Sequence, residues 1–183
     1  PLALASINAH SGDRLQERPA GDFELGHKIF PDLANPPPTP SVRDDIALAD
    51  TIGVDAVSLV IAPDIENAAL DSLARTMDLL RRDSTTLIVT LGYRGKLVPE
   101  VGRVPFEELE RLAVIRRIVR RLHPDILLPA EDPYRVGARL LGQLPVERWQ
   151  SYLLRASSAA KRLVPSVQIG VSISGFDHNH STL

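Results

Sequence analysis

His123-Pro124-Asp125-Ile126-Leu127-Leu128-Pro129-Ala130-Glu131-Asp132-Pro133-Tyr134 is the stretch around which the rest of the chain is organised. Its short apolar run, Ile126 to Leu128, follows a long amphipathic helical pattern and ends in two carboxylates bracketed by prolines. The run reads as a strand buried on both faces, as in a parallel sheet wrapped by helices. A strand ending in Glu131-Asp132 holds charge at the lip of the sheet, where α/β enzymes place their chemistry. The plainer reading is that both acids are solvated loop residues capping the next helix.

Outward from this stretch the same alternation recurs. Towards the N-terminus, Phe106, Leu109, Leu112, Ile115, Val119 and Leu122 form a helical stripe after Pro105, a residue suited to a first turn. Thr85–Leu91 is a strand ending in Gly92-Tyr93, and Leu70, Leu73, Met77 and Leu80 mark a helix before it. Ala56–Ala62 is a β-branched strand ended by Pro63-Asp64. Before it, Val42, Ile46, Ala49 and Ile52 form a helix capped by Ser41 and stopped by Gly53. Residues 2–8 read as a first buried strand, and residues 9–40 as a long loop packed by Phe23, Phe30 and Leu33. Towards the C-terminus, a helix from Pro145 carries Val146, Trp149, Leu153, Ala156, Ala160 and Leu163 on one face, with Trp149 as core. Val167–Ser174 is the last strand, followed by Gly175-Phe176-Asp177-His178-Asn179-His180.

The order βαβαβαβαβ demands a mainly parallel α/β sheet with right-handed crossovers. An open doubly wound sheet would be complete in five strands. A (β/α)8 TIM barrel needs eight, and five units in 183 residues extrapolate to about 290, an ordinary barrel length. The strands all end in polar or aromatic groups: Asn8 and His10, Asp64, Tyr93, Glu131, then Asp177 and His178. That convergence favours a barrel of which about the first five βα units are present, in a single domain. The chain opens at Pro1 without an initiating Met and closes just after a strand signal, so it is expected to belong to a longer polypeptide.

Composition narrows the function classes. The formal net charge is −2 and aromatic residues are 4%, too little basic charge and too few stacking platforms to suggest nucleic acid. No cysteine is present, which excludes disulfides and thiolate metal sites. No apolar run approaches the roughly 20 residues that span a bilayer. Gly92-Tyr93-Arg94-Gly95-Lys96 lacks the spacing and the hydroxyl of a phosphate loop, and Gly137 and Gly142 fit no dinucleotide fingerprint. No cofactor is therefore expected. His178-Asn179-His180 has a spacing found in metal sites, but a third ligand such as His10 would have to come from far away. Tyr93, Tyr134 and Phe176, at or just past strand ends, suit stacking on sugar rings or wedging of loops.

The succession of amphipathic helix, His123-Pro124-Asp125, buried strand and Ala130-Glu131-Asp132-Pro133 resembles the fourth strand of the retaining β-glycosidase clan with (β/α)8 barrels. In that clan the fourth strand ends in Asn-Glu and the Glu is the acid/base. Glu147-Arg148-Trp149-Gln150-Ser151-Tyr152 and the strand at Val167 are similar to its fourth helix and fifth strand. The resemblance implies a glycosidase acting on oligo- or polysaccharide. Glu131 would protonate the leaving oxygen and then activate water, opposite a nucleophilic carboxylate about 5–5.5 Å away. That nucleophile belongs to a seventh strand and is expected outside this chain. Asn8, His10, Tyr93, Asp132, Tyr134, Phe176, Asp177 and His178 are the expected substrate contacts. A periplasmic or extracellular setting is slightly favoured by the resemblance.

Two departures from the clan stand out. Ala130 replaces the Asn that contacts the sugar 2-hydroxyl, and the strand Ser58-Leu59-Val60-Ile61 lacks a nearby arginine. They leave open a catalytically inactive carbohydrate-binding barrel. A metal-dependent barrel hydrolase using His10, His178 and His180 is the remaining alternative.

Overall fold

In the computed structural model the described residues are 26–29, 40–80, 85–93 and 105–172. They run β1 (Gly26–Ile29), α1 (Pro40–Ile52), β2 (Ala56–Ile61), α2 (Asn67–Leu80), β3 (Thr86–Leu91), α3 (Glu108–Leu122) and β4 (Ile126–Leu128). A π-helical turn (Pro133–Gly137), the short α4 (Ala138–Leu141), α5 (Val146–Lys161) and β5 (Gln168–Ile169) complete the order. The chain is thus α/β. The five strands among the described residues form one sheet in the order β1-β2-β3-β4-β5, every neighbouring pair parallel.

β2, β3 and β4 alternate. Val57, Leu59 and Ile61 of β2, Leu87, Val89 and Leu91 of β3, and Leu127 of β4 enter the core, while Ser58, Ile88, Ile126 and Leu128 are half-buried. Only towards the carboxyl ends of β2 and β3, at Val60 and Thr90, are both faces covered. The expectation that Ile126–Leu128 is buried on both faces is corrected accordingly: Leu127 alone is fully enclosed. Helices cover the Leu59–Val89–Leu127 face through Ile46 of α1, Leu70 and Leu73 of α2, Ile115 of α3 and Trp149 of α5. They touch in the order of their strands, α1 on α2, α2 on α3 and α3 on α5. Among the described strands the order never reverses, so the switch point of a doubly wound sheet is absent there.

Local chemistry sets the boundaries. Gly53 ends α1 at φ 65°, and the Val54 N–H closes the turn on the Ala49 carbonyl at 3.1 Å. Pro124 stops α3, whose last residue boundary is His123 in the left-handed region at φ 45°. Asp125 then ties two strands at their amino ends: its Oδ2 accepts the Leu87 N–H at 2.7 Å, and its own N–H donates to the Leu87 carbonyl at 3.0 Å. Ala156 and Ala160, on the expected stripe of α5, are fully buried, and Ala159 is buried beside them.

Two expectations are corrected. β1 falls inside the stretch 9–40 read as loop, whereas the strand read at residues 2–8 lies outside the described residues. Gly26-His27-Lys28-Ile29 has no alternating pattern; β1 forms because the edge of β2 offers it a ladder, from Gly26↔Ala56 to Ile29↔Leu59. The second correction is one position of the α3 stripe, whose Leu112, Ile115, Val119 and Leu122 are buried as expected. Leu109 is 82% exposed, and Arg111, 3% exposed, faces inward with Leu112, Val114, Ile115, Ile118 and Val119. Replacing Ile115 with Ala is expected to cost about 2–5 kcal/mol, whereas Leu109→Ala should stay within about 0.5 kcal/mol. Urea midpoints of the two variants check which of these residues faces the core.

Candidate functional site

β4 does not end cleanly at Leu128. From the pair Leu127↔Ile169 to the bridge Glu131↔Ser172, β4 advances four residues while β5 advances three. The pairing then resumes, with the Asp132 N–H on the Ser172 carbonyl at 2.6 Å and the Ser172 N–H on the Ala130 carbonyl at 3.4 Å. One extra residue in a ladder is a β-bulge, and it turns every later side chain to the opposite face. Regular alternation would send Glu131 with Leu127 into the helix layer. The bulge sends it the other way.

Its position agrees. A Cβ placed on Gly92 would lie 3.6 Å from Glu131 Oε2 and 3.3 Å from Val60 Cγ1, on the face of the sheet away from the helices. Glu131 therefore reaches from the end of β4 across the end of β3, and is only 6% exposed. Asp132 follows at φ 40°, a left-handed conformation that costs a non-glycine residue of the order of 1–2 kcal/mol. Its carbonyl accepts the Arg135 N–H at 3.3 Å and the Gly137 N–H at 3.0 Å, which starts the π-helical turn.

Behind this edge sits Arg111. Its Nη1 donates to the Gly92 carbonyl at 2.8 Å, and Nη2 to the carbonyls of Pro129 at 2.9 Å and Leu91 at 3.3 Å. Nε donates to Tyr152 Oη at 3.2 Å, and that hydroxyl donates to the Pro129 carbonyl at 2.9 Å. The guanidinium lies 4.9 Å from the Tyr93 ring centroid, 5.5 Å from that of Tyr152 and 5.7 Å from that of Phe106. Phe106, Trp149 and Tyr152 meet edge-on around it.

Tyr93 is 2% exposed and its hydroxyl finds no hydrogen-bond partner among the described residues. Burial holds its pKa well above the ordinary 10.0; Arg111 works against the rise, and Tyr152, Glu131 and Asp132 add to it. The Tyr152 hydroxyl is raised too, first by burial, with Arg111 opposing and Glu108 adding. Beside the cluster lies a small cleft, with room for little more than a water molecule, walled by Pro63, Tyr93, Phe106, Glu107, Glu110 and Arg111; Glu131 is not among its walls.

Of the residues read from sequence, Glu131, Asp132, Tyr93 and Tyr134 gather at the carboxyl ends of β3 and β4. Asn8, His10, Phe176, Asp177, His178 and His180 lie outside the described residues. Two expectations change. The Tyr93 ring is packed against Arg111 and Gly137, so it offers no stacking face, and Asp132, 2% exposed, is not a charge on an open lip. Tyr134 is partly buried against the core. No group of three or more metal-ligating side chains occurs among the described residues. Arg111 and Tyr152 were missed, although spacing pointed to both. Arg111 shares a face with Ile115, Ile118 and Leu122, and Tyr152 lies between Trp149 and Ala156.

Compared with known proteins, the chain matches no family model, and no curated protein matches it. The site is therefore read from its own geometry.

At Gly137 a Cβ would meet Tyr93 Oη at 2.8 Å and Tyr93 Cζ at 3.2 Å. Gly137→Ala is expected to cost about 1–3 kcal/mol by overpacking, and less in a Tyr93→Phe background, where the hydroxyl is gone. A double-mutant cycle in urea measures the difference. The tyrosines also set an alkaline limit. The folded state holds their protons more tightly than the unfolded chain, so this share of stability is complete below the unfolded value near 10.0 and is lost as pH rises through the raised folded values. Denaturation at a series of pH values should show stability falling above that point, less steeply in Tyr93→Phe.

Proposed function

We propose that the chain carries βα units of a (β/α)8 barrel that acts on carbohydrate, with Glu131 as acid/base of retaining β-glycoside hydrolysis. The observation that carries this reading is the bulge-directed Glu131 carboxyl, 6% exposed at the carboxyl edge of a parallel sheet. Two features of the fold support it. The strands follow sequence order, and the helices cover one face, which is how a singly wound barrel is laid down. In such a barrel the other face is the interior, the side of Val60 towards which Glu131 reaches.

The chemistry divides into two steps. In the first, Glu131 gives its proton to the glycosidic oxygen as the bond from that oxygen to the anomeric carbon breaks, and a second carboxylate bonds to the carbon. In the second, the Glu131 carboxylate takes a proton from water, whose oxygen displaces the enzyme carboxylate and frees the sugar. Asp132 adjoins Glu131 in sequence and is not the facing carboxylate; the nucleophile is expected from a later strand outside this chain.

A second reading, an inactive carbohydrate-binding barrel, draws on Ala130, which is completely buried and offers no polar group to a sugar 2-hydroxyl. One experiment separates the two. The full-length protein is assayed on a panel of aryl β-glycosides and oligosaccharides with Glu131 intact and as Glu131→Gln. Hydrolysis that falls about 10²–10⁴-fold in the variant supports the acid/base role. Activity unchanged by Glu131→Gln would eliminate it, and oligosaccharide binding without turnover in the wild type would favour the inactive barrel.

A further inference from the structure

Where a ladder ends, strand carbonyls lose their partners and must find others. The β3–β4 ladder pairs residues as far as Thr90↔Leu128. The next carbonyls, those of Leu91, Gly92 and Pro129, all accept hydrogen bonds from Arg111. Pro129 lies within the bulge, and its carbonyl also accepts the Tyr152 hydroxyl. A side chain from a helix thus replaces the missing rungs at the point where β4 gains its extra residue. Gly92, held by the same guanidinium, is the residue over which the Glu131 carboxyl lies.

We infer that Arg111, braced by Tyr152, is a positioning residue that holds the β4 bulge and so aims Glu131 at its substrate. The inference rests on the glycosidase reading of Glu131. Simple packing does not explain the pair. A buried cation is expensive to desolvate, and an apolar residue of similar volume would fill the space between α3 and the sheet at less cost. A guanidinium alone offers a planar fork able to serve three carbonyls and a hydroxyl at once. Lysine has the charge without the fork.

The test uses the full-length protein and two classes of β-glycoside, one with an activated aryl leaving group and one with an alkyl or sugar leaving group. Only the second class needs a proton from Glu131 as its bond breaks, so a misaimed acid harms it selectively. Arg111→Lys is expected to lower kcat/KM, which reports the first step alone, by about 10²-fold on the second class, the order of effect of a misplacement near 1 Å, and to leave kcat/KM on the first class largely unchanged. Tyr152→Phe, the milder variant, should show the same selectivity at about tenfold and keeps the test open if Arg111→Lys does not fold. Equal losses of kcat/KM on both classes would mean that the pair only maintains the fold, and no loss on either would mean that it does not aim Glu131; both results overturn the inference. Glu131→Gln run alongside separates the two levels. If it loses activity while Tyr152→Phe shows no leaving-group selectivity, positioning fails and the glycosidase reading stands; if it loses nothing, that reading itself falls.

Discussion

Arg111 buries a positive charge at 3% exposure between α3 and the ends of β3 and β4, and much of the described structure depends on how that charge is satisfied. Its desolvation costs several kcal/mol. Against this stand four hydrogen bonds, each to a charged donor and worth about 1.5–3 kcal/mol at best, and three aromatic rings within 6 Å worth about 0.5–2 kcal/mol each. The opposing terms are of one order, so the residue adds little net stability. What it adds is geometry. Three carbonyls from two strands are fixed to one rigid plane, and an irregular strand end is given one conformation.

That conformation is what an ordinary strand would not produce. Without the extra residue between Leu127 and Glu131, the carboxylate would face the helix layer, on the side of Leu127 and away from Val60. The bulge moves it to the far face, and the left-handed Asp132 bends the chain immediately afterwards into the π-helical turn. Bulges that re-aim a side chain, and strained residues beside them, concentrate where structure serves something other than stability.

Most of the framework was legible because hydrophobic period reports directly on burial. The runs at Ala56–Ile61 and Thr86–Leu91, the apolar stripe of α2 and the alanine stripe of α5 each have one period and one partner surface. Trp149 falls in the core as its place on that stripe implies. β1 was illegible for a physical reason: its residues carry no pattern, and the edge of β2 supplies the cause of its extension. Arg111 was passed over because arginine is almost never buried unpaired, so Leu109 took its place on the expected stripe. The cue was present in the spacing. Arg111, Ile115, Ile118 and Leu122 follow one another at spacings of four, three and four, and Leu109 stands apart from that line. The bulge itself left no trace in the alternation of β4, which has too few residues to show a change of phase.

Composition does prepare it, however. Pro129 has no N–H, so placing it where the ladder breaks forfeits no rung, and proline inside a sheet is confined to such positions. Its carbonyl remains, and receives both Arg111 and Tyr152. Pro133 fixes the backbone just past Asp132, where the π-helical turn begins. A proline also disfavours the right-handed helical region for the residue before it, which removes the usual alternative to the conformation Asp132 adopts. Aspartate, like asparagine, tolerates the left-handed region better than most residues. The two prolines and the aspartate therefore lower the cost of an irregular path, and the guanidinium behind them selects one such path. On this account the bracket of prolines around Glu131-Asp132 is the local half of a device whose other half, Arg111 with Tyr152, comes from helices remote in sequence.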